Sequence, residues 1–261
     1  MTRALAGAML LLLLQRAPAG VLTVDQLVTN VIGPRHDAAV RFNATLTHST
    51  KGSDRPENNV TRQLVAAWLR DGGSTMMSYR QTWPVVLGGR VVVIAKTGDR
   101  RLHGFLYEGG RVTTLTDARL GTPFFDSDLI LEDVAENFWY WTSRERLGEE
   151  AVGAYGCVIV GLRPPAGYAG TYSTIKAWLS PELALALRLD QFTPEGRFAK
   201  RISLYRELRL GDRWVPAIAT AEPAGGRTRT VLEGTRYDPE ARLTAADFTV
   251  AAVRKQVAAG R

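Results

Sequence analysis

The feature that most constrains this chain is a two-residue period, repeated in segment after segment between Val40 and Tyr237. In "AAVRFNATLTH", Val40, Phe42, Ala44 and Leu46 alternate with Arg41, Asn43, Thr45 and Thr47. "TMMSYRQTW" puts Met77, Tyr79 and Trp83 on one face and Ser78, Arg80 and Thr82 on the other. "TYSTIKAWLS" opposes Tyr172, Thr174, Lys176 and Trp178 to Ser173, Ile175, Ala177 and Leu179, and "LALALRLDQF" offers Leu183, Leu185, Leu187 and Leu189 as one apolar row. In "FAKRISLYRELRL", Phe198, Ile202, Leu204 and Leu208 stand against Arg201, Ser203 and Glu207. Successive side chains of a strand point to opposite faces, so these segments read as half-buried β-strands. Gly88-Gly89, Thr97-Gly98-Asp99 and Gly109-Gly110 separate "RVVVIAK", "RLHGFLYE" and "RVTTLTD" as further strands. "YGCVIVGLRP", "RWVPAIAT" and "RTRTVLEGTRY" complete the series, and "TRQLVAAWLR", which also fits a helix, reads as a strand between two turn signals. The strands lack the intervening helices that a parallel sheet requires. The expectation is one mainly β domain, a large antiparallel sheet strongly curved or rolled into a barrel.

Two segments break the period. "LTVDQLVTNVIG" sets Leu22, Leu27, Val28 and Val31 on one helical face and ends at the helix stop Gly33-Pro34. In "GTPFFDSDLILEDVAENFWYWTSRERLG", Ile130, Val134, Phe138 and Trp141 recur at helical spacing. Asp126, Asp128, Glu132 and Asp133 open the stretch and Arg144 and Arg146 close it, which predicts one helix from about Asp128 to Trp141.

The first residues read as a targeting segment. Arg3 precedes the apolar run "ALAGAMLLLLL", and Ala17-Pro18-Ala19 supplies a small-x-small cleavage pattern. The run is shorter than the ~20 apolar residues of a membrane span. Residues 1–19 are therefore expected to be a cleaved secretory signal peptide and 20–261 a single domain; an uncleaved anchor is the alternative. Setting aside Arg3 and Arg16 lowers the net charge from +7 to +5. The excess arginine is spread along the chain and not clustered in a stripe, which argues against nucleic acid as a partner.

Residues that could carry chemistry are sparse. Cys157, the one cysteine, lies in the apolar run "YGCVIVGL" and reads as a small core hydrophobe. His36, His48 and His103 have no Cys, Asp or Glu at metal-ligand spacing, and no nucleophile elbow or phosphate loop occurs. The acid pairs Glu132-Asp133 and Glu149-Glu150 read as helix-start charge and a solvated turn. The expectation is a binding protein with no catalytic residues, no metal and no cofactor, whose chemistry is apolar. A sheet this wide either packs its aromatic residues as a core or encloses a cavity.

The stretch Asp126–Val134, "DSDLILEDV", resembles the "GSDFSYEDL" signature of the outer-membrane lipoprotein-sorting protein family, the LolA-like proteins. Ser127, Asp128, Glu132 and Asp133 match it outright, whereas Asp126 stands where the family usually has Gly. The segment from "TYSTIKAWLS" to "RWVPAIAT" and the stretch "RTRTVLEGTRYDPEARLTAADFTVAAVRK" resemble the family's later strands and its closing turn. The resemblance implies an unclosed antiparallel barrel of about ten to eleven strands with a few helices covering the concave face, LolA/LolB-like. It also implies a periplasmic carrier that holds lipid, or the acyl chains of a lipoprotein, for transfer towards the outer membrane, with an inner-membrane transporter as a further partner. The helical insert becomes the lid or plug of an apolar cavity, its aromatic face inward and its acidic start at the rim. The candidate lipid-binding residues are Phe42, Leu46, Trp68, Met77, Tyr79, Trp83 and Phe105 from the strands. Phe124, Phe125, Leu129, Phe138 and Trp141 join them from the insert. An interaction or sensor module that docks a protein partner on the same scaffold is the alternative, and a hydrolase a third.

Overall fold

A computed structural model describes residues 22–36, 39–52, 59–71, 74–84, 89–96, 102–210 and 213–259. The expected signal peptide, residues 1–19, lies outside the described residues. Helix α1, Val24–His36, comes first, and six strands follow: β1 Val40–Thr50, β2 Asn59–Asp71, β3 Ser74–Trp83, β4 Val91–Lys96, β5 Leu102–Glu108 and β6 Arg111–Leu115. The insert holds a short helix α2, Leu131–Ala135, and a 3-10 turn, Asn137–Tyr140. Seven more strands follow: β7 Ser143–Val152, β8 Tyr155–Arg163, β9 Thr174–Ser180, β10 Leu185–Phe192, β11 Phe198–Leu210, β12 Arg213–Pro223 and β13 Thr228–Asp238. Helix α3, Val250–Ala259, ends the described chain. Among the described residues no helix is long and apolar enough to cross a membrane.

All thirteen strands form one curled, unclosed antiparallel sheet in the order β6-β5-β4-β3-β2-β1-β13-β12-β11-β10-β9-β8-β7. Each strand pairs with its neighbour in sequence, except that β1 pairs with β13 and β6 does not pair with β7. β6 and β7 are therefore the two free edges, although only the insert separates them in sequence. The chain between them has to travel from one edge of the sheet to the other. That is why the period changes there: residues 116–142 bridge the two edges and fill the concave face.

The strand count exceeds the ten to eleven that the resemblance implies: twelve strands coincide with the alternating segments of the sequence, and β7 is added to them. Its sequence, "SRERLGEEAV", is mostly solvent-exposed and has no apolar alternation. An edge strand pairs through backbone on one side only, and charges along it deter further pairing. The segment read as the basic end of a helix and a solvated turn is this strand. β6, the opposite edge, is only five residues long, which protects it in another way.

The inward rows of the strands, α1 and the insert form the main core. Leu27, Val28 and Val31 of α1 pack there as their spacing indicates, although the helix continues through Gly33-Pro34 to His36. α3 lies on the opposite face of the sheet, where Val253, Val257 and Phe248 cover Leu69, Val91, Val93 and Tyr107. Only two of the three longer helical segments thus cover the concave face. The leucine row of β10 is split as well. A register shift between Ala186 and Arg188 leaves Leu183, Leu185 and Leu187 on the outer face with Trp178 and turns Leu189 into the main core.

Cys157 is buried in that outer cluster, and burial pushes its thiol above the ordinary range. Cys157→Ala is expected to cost about 1 kcal/mol, read by denaturant unfolding, with ligand binding intact. Complete loss of binding in a folded Cys157→Ala protein would return the thiol to consideration.

Candidate functional site

The concave face holds an apolar cavity of about 150 Å³ between the insert and the inward rows of β1–β3 and β10–β13. Phe42, Trp68, Met77 and Tyr79 form one wall, and Leu129 and Val134 of the insert cover it. The far wall comes from Leu189, Ile202, Leu204, Ala217, Ala219 and Leu232. Trp68 donates its indole N–H to the Tyr79 hydroxyl at 3.1 Å, so a wall polar group is satisfied within the wall. Tyr237 stacks on Phe42, with ring centroids 5.1 Å apart, and its hydroxyl lies 2.0 Å from where a Cβ on Gly234 would be. Residue 234 has to be glycine for that ring to fold over the backbone. β12 and β13 pair only over Ile218–Ala221 and Thr230–Glu233, so the sheet parts beside Ala217 and Gly234, which line the cavity.

Of the twelve residues proposed from sequence, Phe42, Trp68, Met77, Tyr79 and Leu129 line this cavity. Leu46, Phe124, Phe125, Phe138 and Trp141 belong to the same core but are packed behind the wall. Two sit elsewhere. Phe105 points to the outer face and packs with the cluster that α3 covers. Trp83 is 48% exposed, because a register shift opposite Gln63 and Leu64 ends the inward row at Gln81. The far wall lies outside the twelve, although Ile202 and Leu204 alternate in the sequence as inward residues do. Alternation shows which residues face inward but not which inward residues meet a gap.

The insert is not one helix. Glu136 adopts a left-handed conformation, with φ of 51°, and separates α2 from the 3-10 turn. Of its opening acids only Asp126 is exposed, and Asp128, Glu132 and Asp133 are not at the rim. Glu132 is 0% and Asp133 6% exposed. Asp133 accepts hydrogen bonds from the Ile130 N–H (2.8 Å), the Tyr172 hydroxyl (3.0 Å), the Gln191 amide (2.7 Å) and the Lys200 ammonium (2.5 Å). Glu132 accepts from the Tyr168 hydroxyl at 2.9 Å and the Thr171 N–H at 2.6 Å. Asp128 accepts from the hydroxyls of Thr228 at 2.7 Å and Thr230 at 2.9 Å, beside His48. Ser127 accepts from the Leu129 N–H and donates to the Phe124 carbonyl. All four matched signature residues therefore hold the insert in shape or tie it to the sheet.

Burial, and then the two carboxylates, push the Tyr168 and Tyr172 phenols far up, so both remain donors. Burial also raises the Glu132 carboxyl above the usual range, against the donors that hold it down. At the other end of the insert, Lys96 donates to the Ala135 carbonyl. Arg144 donates to the carbonyls of Trp139 and Trp141, both at 2.7 Å, and pairs with Asp25 of α1. Buried carboxylates with several donors are costly to disrupt. The insert is thus a fastened plug and not a loosely packed lid.

A family model described as "Uncharacterized protein" matches residues 69–255. No curated protein matches the sequence. Among solved structures, a DUF1329 family protein from Desulfovibrio piger aligns with a TM-score of 0.80 at 18% identity, covering 88% of this chain and 97% of that one. A domain assigned to outer membrane lipoprotein sorting, from Vibrio parahaemolyticus, aligns with a TM-score of 0.78 at 14% identity, covering 88% and 97%. A LolA superfamily protein from Nitrosomonas europaea aligns with a TM-score of 0.67 at 13% identity, covering 88% and 99%. The fold is LolA-like.

Proposed function

For a chain that belongs to the family of uncharacterized proteins matched over residues 69–255 and has the LolA-like fold, we propose the role of a periplasmic carrier for an acyl chain. The cargo on this reading is a lipid or the acyl chains of a lipoprotein, moved towards the outer membrane, with an inner-membrane transporter as donor. The observation that carries the reading is the cavity. It is walled by apolar side chains from both halves of the sheet, and the split between β12 and β13 adjoins it. Burying each CH₂ of a chain contributes about 0.8 kcal/mol, so affinity can grow with length without a charged anchor.

The cavity volume, about 150 Å³, is below the ~300–1,000 Å³ of pockets that enclose larger ligands. A long chain therefore requires the plug's side chains to give way. Because the plug is fastened by buried carboxylates, the chain on this reading lies between the plug and the wall of β11–β13 and does not replace the plug. Binding, not turnover, is the activity. The domain begins near Gly20 after removal of the signal peptide.

Native mass spectrometry of protein from the periplasm, followed by organic extraction, tests the reading. The expected outcome is a bound lipid and an N-terminus near Gly20. A lipid-free protein that binds no fluorescent fatty acid and co-purifies with a stoichiometric protein would favour an interaction module instead. Periplasmic material still beginning at Met1 would overturn the cleaved signal.

A further inference from the structure

Along β2 and β3 the inward rows lead from the cavity residues Trp68, Met77 and Tyr79 to two polar side chains, Arg62 and Gln81. Both are buried, at 5% and 1% exposure. Among the described residues, the Nε and Nη1 atoms of Arg62 and both amide atoms of Gln81 have no hydrogen-bond partner. Arg90 joins them: its carbonyl accepts the Gln81 N–H at 2.9 Å. Two guanidiniums thus converge on one carboxylate, and the buried Gln81 is paired through its backbone with Arg90 beside them. On them sits Asp126, 3.2 Å from Arg62 and 2.6 Å from Arg90. Arg90 also pairs with Glu108 at 2.8 Å.

Asp126 fits poorly as a permanent structural partner. Its side chain is 60% exposed, and its backbone holds φ of 53° directly after Phe125 at 49°. Left-handed conformations of this kind favour glycine and carry strain in other residues. Its carboxyl, held below the usual range chiefly by Arg90, is shared by both arginines. We propose that Arg62, Gln81 and Arg90 form a binding site for an oxyanion, a carboxylate or phosphate group, for which the chain's own Asp126 stands in. Planar guanidiniums suit such groups because they donate in a fork. Gln81 adds a further donor for a second oxygen.

The site also joins the cavity. Tyr79 of the cavity wall meets Phe124 edge-on at 5.1 Å, Phe124 meets Phe125 at 4.6 Å, and Arg90 lies over Phe125 at 5.6 Å. An amphiphile whose anionic head displaced Asp126 would loosen the segment carrying those two rings, the side chains that separate the head site from the cavity. The extension from a free anion to a lipid head rests on the reading of the cavity as an acyl-chain site.

Binding of dodecyl phosphate, dodecanol and inorganic phosphate to the wild type, Asp126→Gly and Asp126→Gly/Arg90→Gln separates these possibilities, with folding checked by thermal melting. Glycine suits the backbone at 126, so the first variant removes the internal competitor without strain. Asp126→Gly is expected to bind dodecyl phosphate at least tenfold more tightly than the wild type, with dodecanol unchanged, and Arg90→Gln is expected to cancel the gain. Inorganic phosphate that gains as much and binds as tightly as dodecyl phosphate would keep the oxyanion site and remove the lipid head from it. A phosphate gain with no binding of dodecanol or dodecyl phosphate to any variant would keep the site and sink the acyl-chain reading. The proposal is overturned if neither anion gains, or if dodecanol gains equally, since the plug would then merely have been loosened.

Discussion

Met77→Glu is expected to abolish binding of a fluorescent fatty acid in a protein that still melts cooperatively, whereas Phe138→Asp is expected not to fold. Both replace a buried apolar side chain with a carboxylate, but the surroundings differ. Met77 lines the cavity, so a carboxylate there has space into which water can follow. The same group faces any apolar chain that enters, and the chain would have to strip its hydration. An affinity loss of at least ~100-fold, about 2.7 kcal/mol, is the expected reading. Phe138 has no such space. It is 1% exposed and packed against Trp139 and Trp141, with centroids at 4.9 and 6.4 Å. Losing its ring costs about 3–5 kcal/mol, and an unpaired buried charge adds to that cost. A total stability of about 5–15 kcal/mol leaves little margin. Thermal melting and a binding titration on the two variants decide the matter. A folded Met77→Glu protein with wild-type binding would remove the cavity from consideration, and a folded Phe138→Asp protein would contradict the packing described for the plug.

Asp133→Ala should be the most damaging single change among the acids of the plug, at about 3–5 kcal/mol in denaturant unfolding. The cost comes from what is left behind. Lys200, whose side chain is 7% exposed, would lose its carboxylate partner, and Tyr172 and Gln191 would lose an acceptor. The double change Asp133→Leu/Lys200→Met removes the stranded charge and should be less destabilising than Asp133→Ala alone. Asp133→Ala costing under about 1 kcal/mol would mean that the network does not fasten the plug.

The plug shows where sequence reading stops. Its acids looked like the start of a solvated helix because Asp and Glu are favoured there and because their neighbours in sequence contain no bases. The donors to Asp128, Glu132 and Asp133 from outside the insert are Tyr168, Thr171, Tyr172, Gln191, Lys200, Thr228 and Thr230, between 36 and 102 residues further along the chain, and Asp126 meets Arg62 and Arg90, 64 and 36 residues before it. The Ser127, Asp128, Glu132 and Asp133 match did single out the residues that matter, through likeness and without their contacts. Phe105 and Trp83 were misplaced for local reasons. Phe105 is apolar on a strand that has apolar residues on both faces, since α3 covers one side and the core lies on the other. Trp83 follows an irregularity in pairing with β2 that no residue in its own strand announces.

The amino-acid order by itself determined that this chain is an antiparallel β protein with an interruption after β6, and it identified most inward rows correctly. That information is local, because the pleat turns every second side chain to the same face and turns need particular residues. It also placed Leu27, Val28 and Val31 on the buried side of α1. Only the tertiary structure decided that β1 joins β13 and that β6 and β7 become free edges, and hence that the insert must cross the concave face. The same closure decided which carboxylates are buried, that an edge strand could be made from "SRERLGEEAV", and where the walls leave a gap. Those outcomes depend on groups far apart in sequence meeting in space, and a cavity is set by the spacing of whole rows of side chains, which no single row contains.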